Sequence, residues 1–336
     1  MGATATDTPD TPETQSALAA EMRVLFEGAG LLDRSERGKL TLTGPDAIEF
    51  LNGQVTNELE GIRPGEGRYA AFLTHKGKML GDLRILAVRE RDDGEALALD
   101  LDTERVALQA LFDMIRRFKV GYGVELHKRT LERALLSLIG PRAAALAGAE
   151  QMPSEEHANT PLSIDGVETL AVRTDVGVDL FCEAAERERL ASLLAARGAR
   201  EVGEEAAECL RIERGRPRYG LDLDDSVIPQ EAALNERAVS FTKGCYVGQE
   251  TVARLFYRGK PNRHLRGLRL TALAARGAEL RAGERIVGHL GSSARSPRLG
   301  PIALALVRRE VQPGSTVAVG GGEVRAEVLE LPFPGG

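Results

Sequence analysis

Tryptophan is absent from this 336-residue chain, and aromatic residues make up only 4% of it. The stacking platforms that hold single-stranded nucleic acid need more aromatic surface than that, which disfavours a protein built to coat RNA or DNA. Cysteine occurs three times, at Cys182, Cys209 and Cys245, with no C-x-x-C pair and no histidine-rich neighbourhood. This excludes a disulfide framework, a zinc ribbon and a self-sufficient iron-sulfur ligand set, so no stable metal is expected and a reduced, cytoplasmic setting fits best. The longest apolar stretches, such as Ile302 to Val307, fall far short of the ~18 residues that span a bilayer, and no membrane partner is expected. Also missing are a Gly-rich loop ending in Gly-Lys-Ser/Thr, a strand-anchored GxGxxG and an HExxH, so ATPase, dehydrogenase and zincin readings lose their main support.

What is present is an ordinary globular balance of 43% hydrophobic and 28% charged residues, with a net charge of -6. The length suits about two domains of roughly 150 residues each. Residues 1–16 are rich in Thr, Pro and Asp and lack a basic or apolar segment, which predicts a disordered tail and no signal peptide. Met1-Gly2 followed by Thr6 satisfies the loose myristoylation pattern, but no basic patch follows to supply a second membrane signal.

A helical period runs from Ala17 to Leu32, then a strand-like Lys39 to Thr43, then a helix whose Ala47, Phe50, Leu51 and Val55 share a face. Tyr69 to Leu73 and Met79 to Leu86 read as two strands joined by a tight turn at Lys76-Gly77-Lys78. Thr103 is expected to cap a helix whose Val106, Ala110 and Met114 share a face. The block Leu42-Thr43-Gly44-Pro45-Asp46-Ala47 recurs as Leu138-Ile139-Gly140-Pro141-Arg142-Ala143, each time between a strand and a helix, which hints at a duplicated βα unit. A loop at Ala149 to Pro161, strands near Thr169 to Arg173 and Gly177 to Cys182, and a helix from Ala184 to Arg197 follow. Past Arg263 short β-like runs alternate with glycines, the pattern of a small antiparallel barrel.

The unusual stretch is Lys243-Gly244-Cys245-Tyr246-Val247-Gly248-Gln249-Glu250, continuing through Val252-Ala253-Arg254. A cysteine beside a lysine and ahead of a helix start meets positive charge and free N–H groups, which stabilise a thiolate. The competing reading is a small buried cysteine beside a glycine turn. From Lys243 to Arg269, seven Lys/Arg face one acid, Glu250, a local +6 in a chain of -6 that suits a glutamyl tail, an acidic protein or an RNA backbone. Asp222, Asp224 and Asp225 lack calcium-loop spacing and read as a solvated turn.

The Lys-Gly-Cys-Tyr-Val-Gly-Gln-Glu run ending in Val-Ala-Arg resembles the hallmark of the YgfZ-type folate-binding proteins, relatives of the glycine-cleavage T-protein. The resemblance extends from about Leu18 to Phe333 and includes Phe50 to Asn57 and Ile228-Pro229-Gln230-Glu231. It implies an α+β, T-protein-like folate-binding fold: duplicated ferredoxin-like αβ units over about 17–130 and 131–262, then a β-barrel over 263–336. It implies tetrahydrofolate or a derivative, with or without a polyglutamyl tail, lying between the two units. Glu213 would accept the pterin's donor pair, as one carboxylate can, with Tyr69 and Tyr219 lining the pocket and Asp82 near the reactive nitrogens. Cys245 would be the functional thiol, with Lys243 beside it at the pocket's outer edge, and Gly244, Gln249, Glu250 and Arg254 would complete the cofactor set. The T-protein carries two adjacent aspartates where this chain has Gly81-Asp82, and a second turn glycine where it has Lys78, departures that count against ordinary aminomethyl transfer.

The leading expectation is therefore an accessory factor for maturation or repair of iron-sulfur proteins, more a helper than an enzyme, with an indirect effect on tRNA modification. Its partners would be iron-sulfur client proteins or the cluster-assembly machinery. The alternatives are an aminomethyltransferase of glycine cleavage, a folate-dependent one-carbon transferase, and, less favoured, a tRNA-modification factor that binds RNA directly.

Overall fold

The computed structural model describes residues 11–89 and 97–334; the expected tail over residues 1–10, with the myristoylation pattern, lies outside the described residues. Thr11 caps the first helix through its hydroxyl, which accepts from the Thr14 N–H, and Pro12 occupies the first helical position, where its missing N–H costs nothing. Residues 12–16 are therefore helical and not part of a tail. The helix α1 (Pro12–Glu27) stops at Gly28, earlier than the apolar period suggests, because Gly30–Asp33 leaves it to form strand β1.

The chain continues through β2 (Gly38–Thr43), α2 (Ala47–Asn52), β3 (Gly67–Leu73), β4 (Met79–Arg89), β5 (Leu97–Thr103) and α3 (Leu108–Phe118). Next come β6 (Glu125–Lys128), β7 (Arg133–Ile139), α4 (Ala143–Ala147), β8 (Asn159–Ile164), β9 (Val167–Thr174) and β10 (Gly177–Glu183). Then follow α5 (Arg187–Ala196), β11 (Arg200–Glu201), α6 (Glu204–Glu213), α7 (Asn235–Ala238) and α8 (Gln249–Arg258). The last strands are β12 (Arg263–Leu270), β13 (Glu279–Ala282), β14 (Arg285–Ser296), β15 (Gly300–Arg308), β16 (Thr316–Val319) and β17 (Val324–Leu329).

These make a five-stranded sheet in the order β3-β4-β5-β2-β6, a six-stranded sheet β11-β1-β7-β10-β9-β8, and a closed barrel β12-β15-β14-β13-β16-β17. The fold is α+β with duplicated ferredoxin-like units and a C-terminal antiparallel barrel, whose closure leaves no strand edge to pair with a neighbour. The sequence repeat marks the same junction in both sheets: β2 leads into α2 through Gly44-Pro45, and β7 into α4 through Gly140-Pro141. Both glycines need a positive φ, and a side chain on Gly44 would meet the Gly123 carbonyl at 2.2 Å.

Two expectations fail here for local reasons. Thr103 ends β5 and spends its hydroxyl on the Asp82 carbonyl, so it caps nothing, and α3 instead buries Leu111, Met114 and Ile115 while Val106 stands exposed. The units are also not consecutive: β1 pairs antiparallel with β7, from Gly30 opposite Ile139 to Asp33 opposite Leu136, so residues 30–33 belong to the second sheet. No helix among the described residues is long and apolar enough to cross a membrane.

Candidate functional site

A cavity of about 210 Å³ opens where the two sheets and α6 meet, and ionisable side chains line much of it. Strand alternation explains how they arrive. Asp82 and Arg84 are two residues apart on β4 and share a face. Tyr69 on β3 and Asp102 on β5 both stand opposite Arg84 in register, while Asp179 on β10 stands opposite Ser137 on β7 in the other sheet.

Arg84 joins the sheets, with its Nε donating to Asp102 at 2.7 Å and its Nη1 to Asp179 at 2.5 Å. Ser137 donates to the other oxygen of Asp179 at 2.6 Å, and Arg37 clasps Asp102 at 2.9 Å while also pairing with Glu104. Around the rim, Arg218 holds Glu104, Arg211 holds Glu208, Arg216 holds Asp175, and Arg237 holds Glu156 at 2.6 Å. Six carboxylates line the cavity, and five of them are thus paired with arginine.

Asp82 is the sixth. Its Oδ2 accepts from the Tyr69 hydroxyl at 2.7 Å, and no arginine or lysine pairs with it among the described residues. Burial pushes its carboxyl up to about 6, and the Tyr69 hydrogen bond only partly offsets this. Asp102 carries a burial penalty too, yet Arg37 and Arg84 hold it down to about 2. Burial, with Arg84 and Arg237 nearby, lowers His157 to about 3, so this imidazole is neutral at ordinary pH. The Tyr69 ring carries the Arg237 guanidinium 5.0 Å from its centre, with the His157 ring 6.0 Å away.

The GCVT N-terminal domain profile matches residues 6–243, and the glycine cleavage T-protein C-terminal barrel profile matches residues 263–334. The chain belongs to the glycine cleavage T-protein family. It is 30% identical to an aminomethyltransferase of Streptomyces coelicolor across 99% of this chain and 94% of that protein. The same identity holds to an aminomethyltransferase of Deinococcus deserti across 89% of this chain and 83% of the relative. The glycine cleavage system aminomethyltransferase T of Bartonella henselae superposes with a TM-score of 0.81 at 25% identity, covering 94% of this chain and 89% of that structure.

Within this T-protein fold, Tyr69, Asp82 and Tyr219 line the cavity. Glu213 does not. It is fully buried on the barrel side of α6, where Ser296 and Arg298 of the β14–β15 turn engage its two oxygens, Arg298 at 2.8 Å. A pterin reaching Glu213 would first have to displace that turn.

Lys243 is also spent elsewhere. Its ammonium is buried and donates to the backbone carbonyls of Asn52, Val55 and Asn57 at 2.7 to 2.9 Å, closing the chain after α2. Burial lowers it to about 8. Lys243→Met, which strands three carbonyls, is expected to cost about 2–4 kcal/mol in urea unfolding with ligand affinity at the cavity unchanged. A loss of affinity without loss of stability would return Lys243 to the site.

Cys245 is exposed, and neither it nor Gly244, Gln249, Glu250 or Arg254 lines the cavity. The Gly-Gln-Glu part of the motif has a folding role: Gly248 precedes α8 at φ +83, and a side chain there would meet the Thr74 carbonyl of the β3–β4 turn at 2.5 Å. Cys182 and Cys209 are buried, which pushes their thiols up to about 11 and 12. Asp222 is no solvated turn residue: its carboxylate is buried and accepts from Arg211 at 2.8 Å and from the N–H groups of Arg218 and Ser292, tying this segment to the barrel. Arg84, Asp179, His157 and Arg237 escaped the sequence reading, although charged residues inside apolar strand runs such as Met79 to Leu86 and Gly177 to Cys182 were a visible signal.

Proposed function

We propose that the cavity binds tetrahydrofolate or a derivative, and that the protein performs folate-dependent one-carbon transfer of the aminomethyltransferase kind with Asp82 as its proton-handling group. The observation that carries this is the one cavity carboxylate without an arginine partner among the described residues, poised near neutrality by burial. Groups tuned in this way suit general acid–base work near pH 7. The relatives' names support the transfer reaction over other folate roles.

The cavity's residues fit the cofactor in three respects. Tyr69 and Tyr219 offer ring surfaces, the lining carries more guanidinium than carboxylate groups, and the buried Nε atoms of Arg34 and Arg237 have no partner. That surplus suits a ligand bearing its own carboxylates. Bound tetrahydrofolate would supply the nitrogens that receive the one-carbon unit. Tyr69 fixes the orientation of Asp82, leaving Oδ1 to take or return a proton, and His157 contributes no charge. The test is titration of tetrahydrofolate and assay of ammonia release from an aminomethylated carrier protein. Binding with folate-dependent release supports the proposal, and no binding at the cavity overturns it.

One observation favours an iron-sulfur accessory role instead. The resemblance places the first of the T-protein's two aspartates at Gly81, where a side chain would lie 2.6 Å from the Phe72 ring and from Ala107, so no aspartate fits. The exposed Cys245 would then be the working thiol, with iron-sulfur client proteins as partners and tRNA modification affected through them. A deletion strain complemented with wild type or Cys245→Ala separates the two. Iron-sulfur enzyme activities restored only by wild type would establish the accessory reading, and unchanged activities with failed growth on glycine nitrogen would remove it. Because the thiol is exposed, Cys245→Ala is expected to shift unfolding by no more than about 0.5 kcal/mol.

A further inference from the structure

No residue of α8 lines the cavity, and one face of this helix is exposed among the described residues. Glu250, Arg254, Tyr257 and Arg258 recur at helical spacing and are all exposed, and Lys260 follows directly. Tyr257 is 67% exposed and Phe256 49%. Phe256 stacks on Phe241 with centroids 3.7 Å apart and planes within 15°, and meets Tyr257 edge-on at 5.0 Å. In a chain with fourteen Phe and Tyr residues, three of them gathered at one surface is a costly use of apolar area. The surrounding charge is positive. Among the described residues no carboxylate pairs with Arg254, Arg258 or Lys260, whereas the cavity's arginines are paired. The β3–β4 turn extends the patch: exposed His75 and Lys76 precede Gly77, which abuts Thr251 in the first turn of α8.

We propose that this face of α8 is a docking surface for an acidic protein segment that carries an apolar side chain. The cations select the charge, and the Phe256–Tyr257 edge receives the apolar group. A nucleic acid is the poorer occupant. One face of Phe256 is already covered by Phe241 and its edge contact is taken by Tyr257, which leaves one open ring where base stacking uses several. The surface is separate from the cavity and does not depend on what the cavity binds.

The experiment is fluorescence polarisation of a labelled 15-residue Asp/Glu peptide containing two leucines, with a leucine-free acidic peptide and oligouridylate as competitors. Binding at 50 mM salt that falls at least tenfold in Arg258→Glu/Lys260→Glu and about fivefold in Tyr257→Ser is expected. The midpoint of urea unfolding serves as the folding control and should be equal in all forms. No peptide binding at low salt, equal binding by the charge-reversed variant, or equal binding by the leucine-free peptide would each overturn the proposal. Oligouridylate binding tighter than the peptide, and lost in the same variant, would replace it with an RNA surface.

Discussion

Asp82→Asn is expected to lower folate-dependent turnover by about 10²- to 10⁴-fold and at the same time to make the protein harder to unfold. The two effects share one cause. The Asp82 carboxyl titrates near 6 in the folded protein against an ordinary 3.8, because burial disfavours its charge. Above pH 6 the folded state therefore carries an ionised group that is better solvated in the unfolded chain, a cost of up to about 3 kcal/mol. This cost fades as pH falls through 6 towards 4, where the folded state holds the extra proton. Asparagine keeps an oxygen for the Tyr69 hydroxyl and removes the charge. Urea unfolding at pH 7 should show the variant more stable than wild type, and at pH 4 the gap should close. A variant less stable at pH 7 would mean that the field of Arg37 already compensates the carboxylate. Turnover by the wild type should rise with pH through about 6 if ionised Asp82 accepts the proton.

Arg84→Met is expected to be the most damaging single change, costing about 3–5 kcal/mol, since it leaves buried charges without their partner. Asp179 loses its only arginine contact among the described residues, while Asp102 keeps Arg37. Asp102, held near 2 and so below the ordinary 3.8, contributes stability that is complete above about pH 4 and is lost as pH falls towards 2. In the variant that loss should be smaller and should finish at higher pH, because the folded-state carboxyl then titrates closer to its unfolded value. The methionine also cannot bridge β4 to β10, so guanidinium unfolding that stays cooperative with an unchanged midpoint would show that the ion pair does not couple the sheets.

Much of this molecule was legible from local pattern. The two Leu-x-Gly-Pro blocks marked equivalent βα junctions because the positive φ and close backbone approach at Gly44 and Gly140 admit only glycine. The Gly77 turn, the strands around it and the barrel's short runs declared themselves by alternation. Tyr69, Asp82 and Tyr219 were reached through the family resemblance, and the cavity includes them. What stayed hidden depends on partners far along the chain. Nothing around Lys243 announces that its ammonium will meet carbonyls some 190 residues earlier. Glu213 was named through the resemblance alone; its helix neighbours Arg211 and Arg214 do face the cavity, but Glu213 itself is turned to the barrel. Arg84 and Asp179 lie 95 residues apart and belong to different sheets.

The pairing of β1 with β7 and β11 sets an order for the chain's own synthesis. Leu31 and Leu32, buried in the finished protein, emerge more than a hundred residues before their neighbours at Leu136 to Ile139, and Gly30 waits still longer for Arg200. At a synthesis rate of roughly 5–20 residues per second the strand stands open for about 5–20 s. During that time the five-stranded sheet can close while its own upstream segment cannot. A nascent chain whose first 130 residues have emerged would thus present a folded sheet with a loose apolar strand, the species a chaperone would recognise. Dividing the gene at that point would yield two fragments that must find each other before the second sheet is complete.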